Sequence, residues 1–75
     1  MQFTYLPVEE RFFVRFTAEV VAEFPAGAFT PVANYPVYAI RVRESAGEWL
    51  TEFMVPASDG TILWVDMRRL LIARR

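Results

Sequence analysis

Residues 11–24, RFFVRFTAEVVAEF, alternate apolar and polar side chains with a period of two. The even positions are all apolar, whereas the odd positions are mostly Arg, Thr and Glu. A strand separates such residues onto two faces, whereas a helix would scatter the apolar ones around its axis. The segment therefore predicts a β-strand, with a bend or bulge near residues 17–19 because it exceeds the usual strand length. A helix over AEVVAE stays open as an alternative, since Ala and Glu favour helices.

The rest of the chain is predicted to form a long loop followed by strands joined by tight turns. The loop FPAGAFTPVANYP is rich in Pro and still carries Phe29 and Val32, which is typical of a loop that folds back on its domain. Strands are predicted at residues 35–44, 49–55 and 61–66, and Asp59 with Gly60 predicts a hairpin between the last two. The segment MRRL predicts a single 3-10 turn before a closing strand, LLIAR.

This order of elements resembles the Src-homology-3-like small barrel over residues 11–74. The features that carry the resemblance are the FPAGAFTPVAN loop, a Trp at the start of the third strand in GEW, the Asp59-Gly60 hairpin and WVDMRRLLIA. The resemblance implies an all-β, five-stranded barrel with a 3-10 turn before its last strand. Residues 1–10 would form an N-terminal arm or a short strand of the single domain, residues 1–75. The opening RFFVRF and the segment MRR replace the motifs that line the polyproline groove of peptide-binding members.

The composition predicts a surface for self-association. The chain has 75 residues, of which 55% are hydrophobic, against about 45 to 50% in ordinary soluble domains. It has no Cys, so its stability must come from packing, aided by oligomerisation, and a reducing compartment is expected. No leader-like N-terminus and no apolar run long enough to cross a membrane are present, and we expect a cytoplasmic protein.

The catalytic repertoire of the chain is narrow. It has no His, Cys or Lys, and therefore lacks the common general base, the thiol nucleophile and the Schiff-base amine. Ser45 and Ser58 lie in predicted turns with no candidate base nearby. We therefore expect no enzyme, no cofactor and no metal site.

The first functional hypothesis is a non-enzymatic protein–protein interaction module, such as a small regulatory or inhibitory protein or a self-associating subunit. Trp64 is flanked by apolar neighbours and is predicted to lie in the core, whereas Trp49 follows a Gly-Glu turn and is open to either a core or a surface position. An exposed Trp among Arg and Tyr is typical of a binding hot spot. The residues predicted to contact another protein or a second copy of the chain are Trp49, Tyr35, Phe29, Tyr38, Arg41 and Arg43.

The alternative hypothesis is a nucleic-acid-binding barrel. Arginine side chains would neutralise phosphates, and aromatic side chains between them would stack on bases. The net charge of −1 disfavours this reading, and the same arginines could instead pair with glutamates on neighbouring strands. The residues predicted for this alternative are Arg41, Arg43, Arg68 and Arg69.

Overall fold

The computed structural model describes residues 2–73, which form β-strands, one short α-helix and two 3-10 turns. The strands are β1 (Gln2–Tyr5), β2 (Phe13–Phe16), β3 (Tyr35–Pro36), β4 (Ala39–Ser45), β5 (Glu48–Pro56), β6 (Ile62–Asp66) and β7 (Leu70–Ala73). The helix is α1 (Ala18–Val21), and the 3-10 turns are Val8–Glu10 and Met67–Arg69.

The strands form two antiparallel sheets. The four-stranded sheet has the order β1-β4-β5-β6, and the three-stranded sheet has the order β3-β2-β7. The chain crosses from one sheet to the other between β3 and β4, at Val37 and Tyr38. Within residues 2–73, β6 and β7 do not pair, and the sheets do not join into a closed barrel. The prediction of an all-β protein is confirmed.

The predicted count of five strands differs from the seven in the described residues. One additional strand is β1, which pairs with the edge of β4. The other arises because the strand predicted over residues 35–44 is divided into β3 and β4 where the chain changes sheets. Arg74, the end of the predicted closing strand, lies outside the described residues.

The predicted strand over residues 11–24 is wrong beyond Phe16, because a helical turn begins there. The Thr17 Oγ1 accepts a hydrogen bond from the Val20 N–H at 3.3 Å and caps α1. A capping Thr followed by Ala and Glu favours a helix start over the continuation of an extended strand. The helical alternative for AEVVAE is thus the one observed over Ala18–Val21.

Tight turns set the register of the four-stranded sheet. Ser45 pairs with Glu48, which leaves Ala46 and Gly47 as a two-residue loop with φ values of 52° and 82°. Two left-handed residues in succession match the twist of the flanking strands. The predicted hairpin at Asp59 is also present between β5 and β6, and the predicted 3-10 turn lies at Met67–Arg69.

The core lies between the two sheets and is rich in aromatic rings. Phe16 on β2 stacks on Phe29 from the long loop, with ring centroids 4.1 Å apart, and meets Tyr35 edge to face at 5.5 Å. The loop therefore folds back on the core through Phe29, whereas Val32 in the same loop stays exposed. The largest fully buried side chains are Phe16, Val14, Val37 and Val55.

Candidate functional site

Two of the residues predicted to contact a partner lie in the core. Phe29 is 4% exposed and Tyr35 is 7% exposed. The Tyr35 hydroxyl accepts a hydrogen bond from the Thr30 N–H at 2.8 Å, so its polar end is satisfied inside the fold. The apolar loop side chains pack against β2 because a chain this short needs them to complete its core. Phe29 and Tyr35 are therefore not part of a contact surface in this conformation.

Two other predicted contact residues, Tyr38 and Trp49, lie in different parts of the fold. Tyr38 is half-buried, and the Arg11 guanidinium carbon lies 4.6 Å from the centroid of its ring. Trp49 is 68% exposed and pairs with Glu44 at the hairpin end of β4 and β5. Strand alternation places Trp49 on the same face of β5 as the buried Phe53, but beyond the core. The structure thus gives Trp49 an isolated, exposed position.

The remaining two predicted contact residues, Arg41 and Arg43, lie on the outer face of the four-stranded sheet. The register aligns Phe3 with Arg41, and Arg41 with Glu52, across three neighbouring strands. Side chains of alternate residues share a face, and the opposite face of these strands is turned to the core. We call this outer surface the aromatic–arginine face, and its members are Phe3, Tyr5, Arg41, Arg43, Glu52 and Trp64.

The aromatic side chains of this face contact one another across the sheet. The rings of Phe3 and Trp64 meet edge to face with centroids 5.6 Å apart, and Phe3 lies 6.2 Å from Tyr5. Phe3 is 51% exposed and Tyr5 is 62% exposed. Ala39 lies in register next to Tyr5 and has no exposed surface. The prediction that Trp64 lies in the core is wrong, because its side chain is half-buried on the outer face.

The arginines of the face share one carboxylate. The Nε atoms of Arg41 and Arg43 each donate to Glu52 Oε1 at 2.7 Å, and Arg43 Nη2 donates to Oε2 at 3.3 Å. The Arg41 guanidinium carbon also lies 4.3 Å from the centroid of the Trp64 ring. Ion pairing and stacking on an aromatic ring together fix the position of a guanidinium.

Glu52 is the charged residue that organises this face, and it is 8% exposed. The hydrogen bond from Arg43 lowers the pKa of Glu52, and the bond from Arg41 acts in the same direction against the effect of burial. The same hydrogen bond raises the pKa of Arg43. The face therefore holds two guanidinium groups around one carboxylate, and their hydrogen bonds favour the ionised form of Glu52.

Arg68 and Arg69, predicted for the nucleic-acid alternative, lie on the 3-10 turn and are also paired. Arg68 donates to both carboxylate oxygens of Asp66, at 3.1 and 2.9 Å, and these hydrogen bonds lower the pKa of Asp66. Arg69 forms an ion pair with Glu23. All four arginines of that set thus contact a carboxylate.

Phe3 and Tyr5 are not among the predicted contact residues, although the sequence contains a pattern that indicates them. The segment QFTY alternates polar and aromatic residues, which is the pattern of a strand with one apolar face. Their position beside Trp64 depends on the pairing of β1 with β4, which no local pattern specifies.

Comparison of the chain with protein-family models, curated proteins and solved structures finds no match.

Two further features of the described residues bear on the expectations from the sequence. No helix within residues 2–73 is long and apolar enough to cross a membrane. The same residues hold no group of three or more His, Cys, Asp or Glu side chains arranged to bind a metal ion.

Proposed function

We propose that this protein is a non-enzymatic binding module that contacts another protein through the aromatic–arginine face. The observation that carries the proposal is the exposure of Phe3 and Tyr5 beside Trp64 on a four-stranded sheet. Contiguous exposed apolar surface favours interaction, and aromatic residues with Arg are enriched at protein interfaces. A small regulatory or inhibitory protein would use such a surface.

The arrangement of the face supports binding because its side chains are already held in place. Arg41 is fixed between Glu52 and the Trp64 ring, and Arg43 is fixed by both oxygens of Glu52. Side chains that are ordered before binding lose less conformational entropy when a partner arrives. Trp49 is a second exposed aromatic residue and stays a candidate for a separate contact.

The same proposal includes a Src-homology-3-like fold and a cytoplasmic location. The order of elements supports the fold: a long loop follows β2, the β3–β4 segment is shared between sheets, and a 3-10 turn precedes β7. The pairing of the final strand β7 with β2 also supports the resemblance. The additional strand β1 and the open side between β6 and β7 are the departures. The cytoplasmic location is supported by the lack of Cys.

The nucleic-acid alternative has less support. Phosphates would have to compete with Glu52, Asp66 and Glu23 for arginines that these carboxylates already hold. The net charge of −1 also opposes a long run of phosphates.

The proposal can be tested by selecting binding partners from a phage-displayed peptide library on the purified full chain. We expect the selected peptides to bind the Tyr5→Ser variant about tenfold more weakly or worse, because the exposed ring is removed. The matched control is Val32→Ser, since Val32 is exposed but lies in the long loop. Circular dichroism checks that both variants fold. Peptides that bind Tyr5→Ser as tightly as the unaltered chain would contradict the proposal.

A further inference from the structure

We propose that the aromatic–arginine face binds an acidic and apolar segment of a partner protein. A carboxylate of that segment contacts Arg41 and Arg43, and an apolar side chain close by contacts Phe3 and Tyr5. The inference rests on the proposed function and specifies the chemistry of the partner.

The charges of the face favour an anionic partner. Arg41 and Arg43 share a single carboxylate, that of Glu52, so this part of the face carries one excess positive charge. Arg68 at the edge of the face is neutralised by Asp66. The whole chain has a net charge of −1. Glu48 lies on the same face of β5 as Glu52 and interacts electrostatically with Arg68, so the excess positive charge is local to Arg41, Arg43 and Glu52. Complementary charge at such a position guides both the encounter and the register of a partner.

The two guanidiniums keep hydrogen-bond donors that could bind a further carboxylate. Each guanidinium has five N–H donors in a planar fork. Arg41 uses only its Nε atom, and Arg43 uses Nε and Nη2, in bonds within residues 2–73. Their side chains are 23% and 37% exposed. A carboxylate from solvent can therefore reach donors that are already fixed in position.

The spacing of the face defines the spacing of the partner's side chains. Phe3 is paired with Arg41 on the neighbouring strand, and neighbouring strands lie about 5 Å apart. Alternate side chains of an extended peptide lie about 7 Å apart on one face. An extended segment with Asp or Glu two residues from an aromatic or aliphatic residue would therefore contact the arginines and the rings at the same time.

A protein segment fits the face better than a single-stranded nucleic acid. The carboxylates of Glu52 and Asp66 lie in register on the same face and would repel a continuous run of phosphates. A peptide places one carboxylate at the arginines and neutral groups next to Glu52 and Asp66. The nucleic acid is therefore an outcome to be distinguished in the test.

The test uses Trp64 as its own reporter. In the full chain with Trp49→Phe, Trp64 is the remaining tryptophan, and its fluorescence reports on the ring that Arg41 covers. The probes are a synthetic peptide in which one Glu and one Phe stand two residues apart, with Ser between and around them, the same peptide with Gln in place of Glu, and an oligothymidylate. We expect the Glu peptide to bind at least about tenfold more tightly than the Gln peptide.

Variants of the chain then connect this preference to the arginines. Arg43→Gln is expected to lower the affinity for the Glu peptide about tenfold while leaving the affinity for the Gln peptide unchanged. Arg15→Gln is the matched control, because Arg15 is exposed on β2 and forms no ion pair within residues 2–73. Circular dichroism verifies that both variants keep the fold.

Three outcomes would overturn the inference, and they bear differently on the proposed function. Equal binding of the Glu and Gln peptides, with both lost in Tyr5→Ser, would leave a protein-binding face without a preference for acids. Binding of the oligothymidylate alone, weakened by added salt, would overturn both proposals. No response of Trp64 to either peptide would overturn the inference, while the library selection would still decide the proposed function.

Discussion

Glu52 accepts two hydrogen bonds from Arg43, one at each carboxylate oxygen, at 2.7 and 3.3 Å. The hydrogen bond from Arg43 is the largest cause of the lowered pKa of Glu52, so the folded protein favours the ionised carboxylate more than the unfolded chain does. The stability from this group is present above the ordinary glutamate pKa of 4.5 and is lost as the pH falls through the lower pKa of the folded state.

We therefore predict that replacing Glu52 with Gln costs about 1–3 kcal/mol of unfolding free energy near neutral pH, because hydrogen bonds to a charged acceptor are lost. The difference from the unaltered chain should shrink as the pH falls below 4.5. Urea denaturation across this pH range measures it. Glu44→Gln is the matched control, since Glu44 is exposed and forms no ion pair within residues 2–73. A difference independent of pH would contradict the role given to Glu52.

Substitution of Phe29 tests whether its ring lies in the core or on a contact surface. Its ring stacks on Phe16 and meets Phe24 and Tyr35 edge to face at 5.1 Å each. We predict that Phe29→Ala lowers the unfolding free energy by about 3–5 kcal/mol, because a large buried ring is removed. Since this loss could unfold so small a domain, Phe29→Leu is measured beside it and should cost less. A loss below about 1 kcal/mol for Phe29→Ala would place the ring at the surface.

Local patterns in the sequence predicted much of the four-stranded sheet. Alternation over β4 and β5 identified the strands. The alternative that the arginines pair with glutamates on a neighbouring strand is the one observed for Arg41 and Arg43, which pair with Glu52. The Asp59-Gly60 hairpin and the 3-10 turn have local causes as well, in side-chain and backbone turn geometry. In each case the determining interactions join residues close in sequence or on adjacent strands.

The parts that the sequence did not predict depend on contacts between distant residues. Whether Phe29 faces solvent or the core is decided by how the long loop packs on β2. The contact of Phe3 with Trp64 depends on the addition of β1 to the sheet. The helix after Phe16 was ambiguous because AEVVAE combines a strand-like alternation with helix-forming Ala and Glu.

Trp49 should contribute little to stability, because it is 68% exposed at the end of a hairpin. We predict that Trp49→Ala changes the unfolding free energy by less than about 1 kcal/mol. Trp64→Ala should cost more, because Trp64 contacts both Phe3 and Arg41. Urea denaturation followed by circular dichroism compares the two variants. If Trp49→Ala proved the more destabilising, the positions of the two tryptophans in this fold would have to be revised.

Ala46 occupies a backbone conformation that its side chain disfavours. Its φ of 52° lies in the left-handed region, next to Gly47 at 82°. A left-handed non-glycine residue is strained by about 1–2 kcal/mol, whereas Asn tolerates this conformation and Asn-Gly is preferred in such two-residue turns. We predict that Ala46→Asn raises the unfolding free energy by about 0.5–1 kcal/mol. Thermal denaturation monitored by circular dichroism measures the gain.

The control for this prediction separates relief of strain from a general effect of changing an exposed alanine. Ala22 is exposed and has a right-handed φ of −64°, so Ala22→Asn relieves no strain and should not stabilise the protein. Ala46→Gly should gain less than Ala46→Asn, because glycine also increases the conformational entropy of the unfolded chain. An increase in stability for Ala22→Asn equal to that for Ala46→Asn would show that backbone strain at the β4–β5 turn is not the cause.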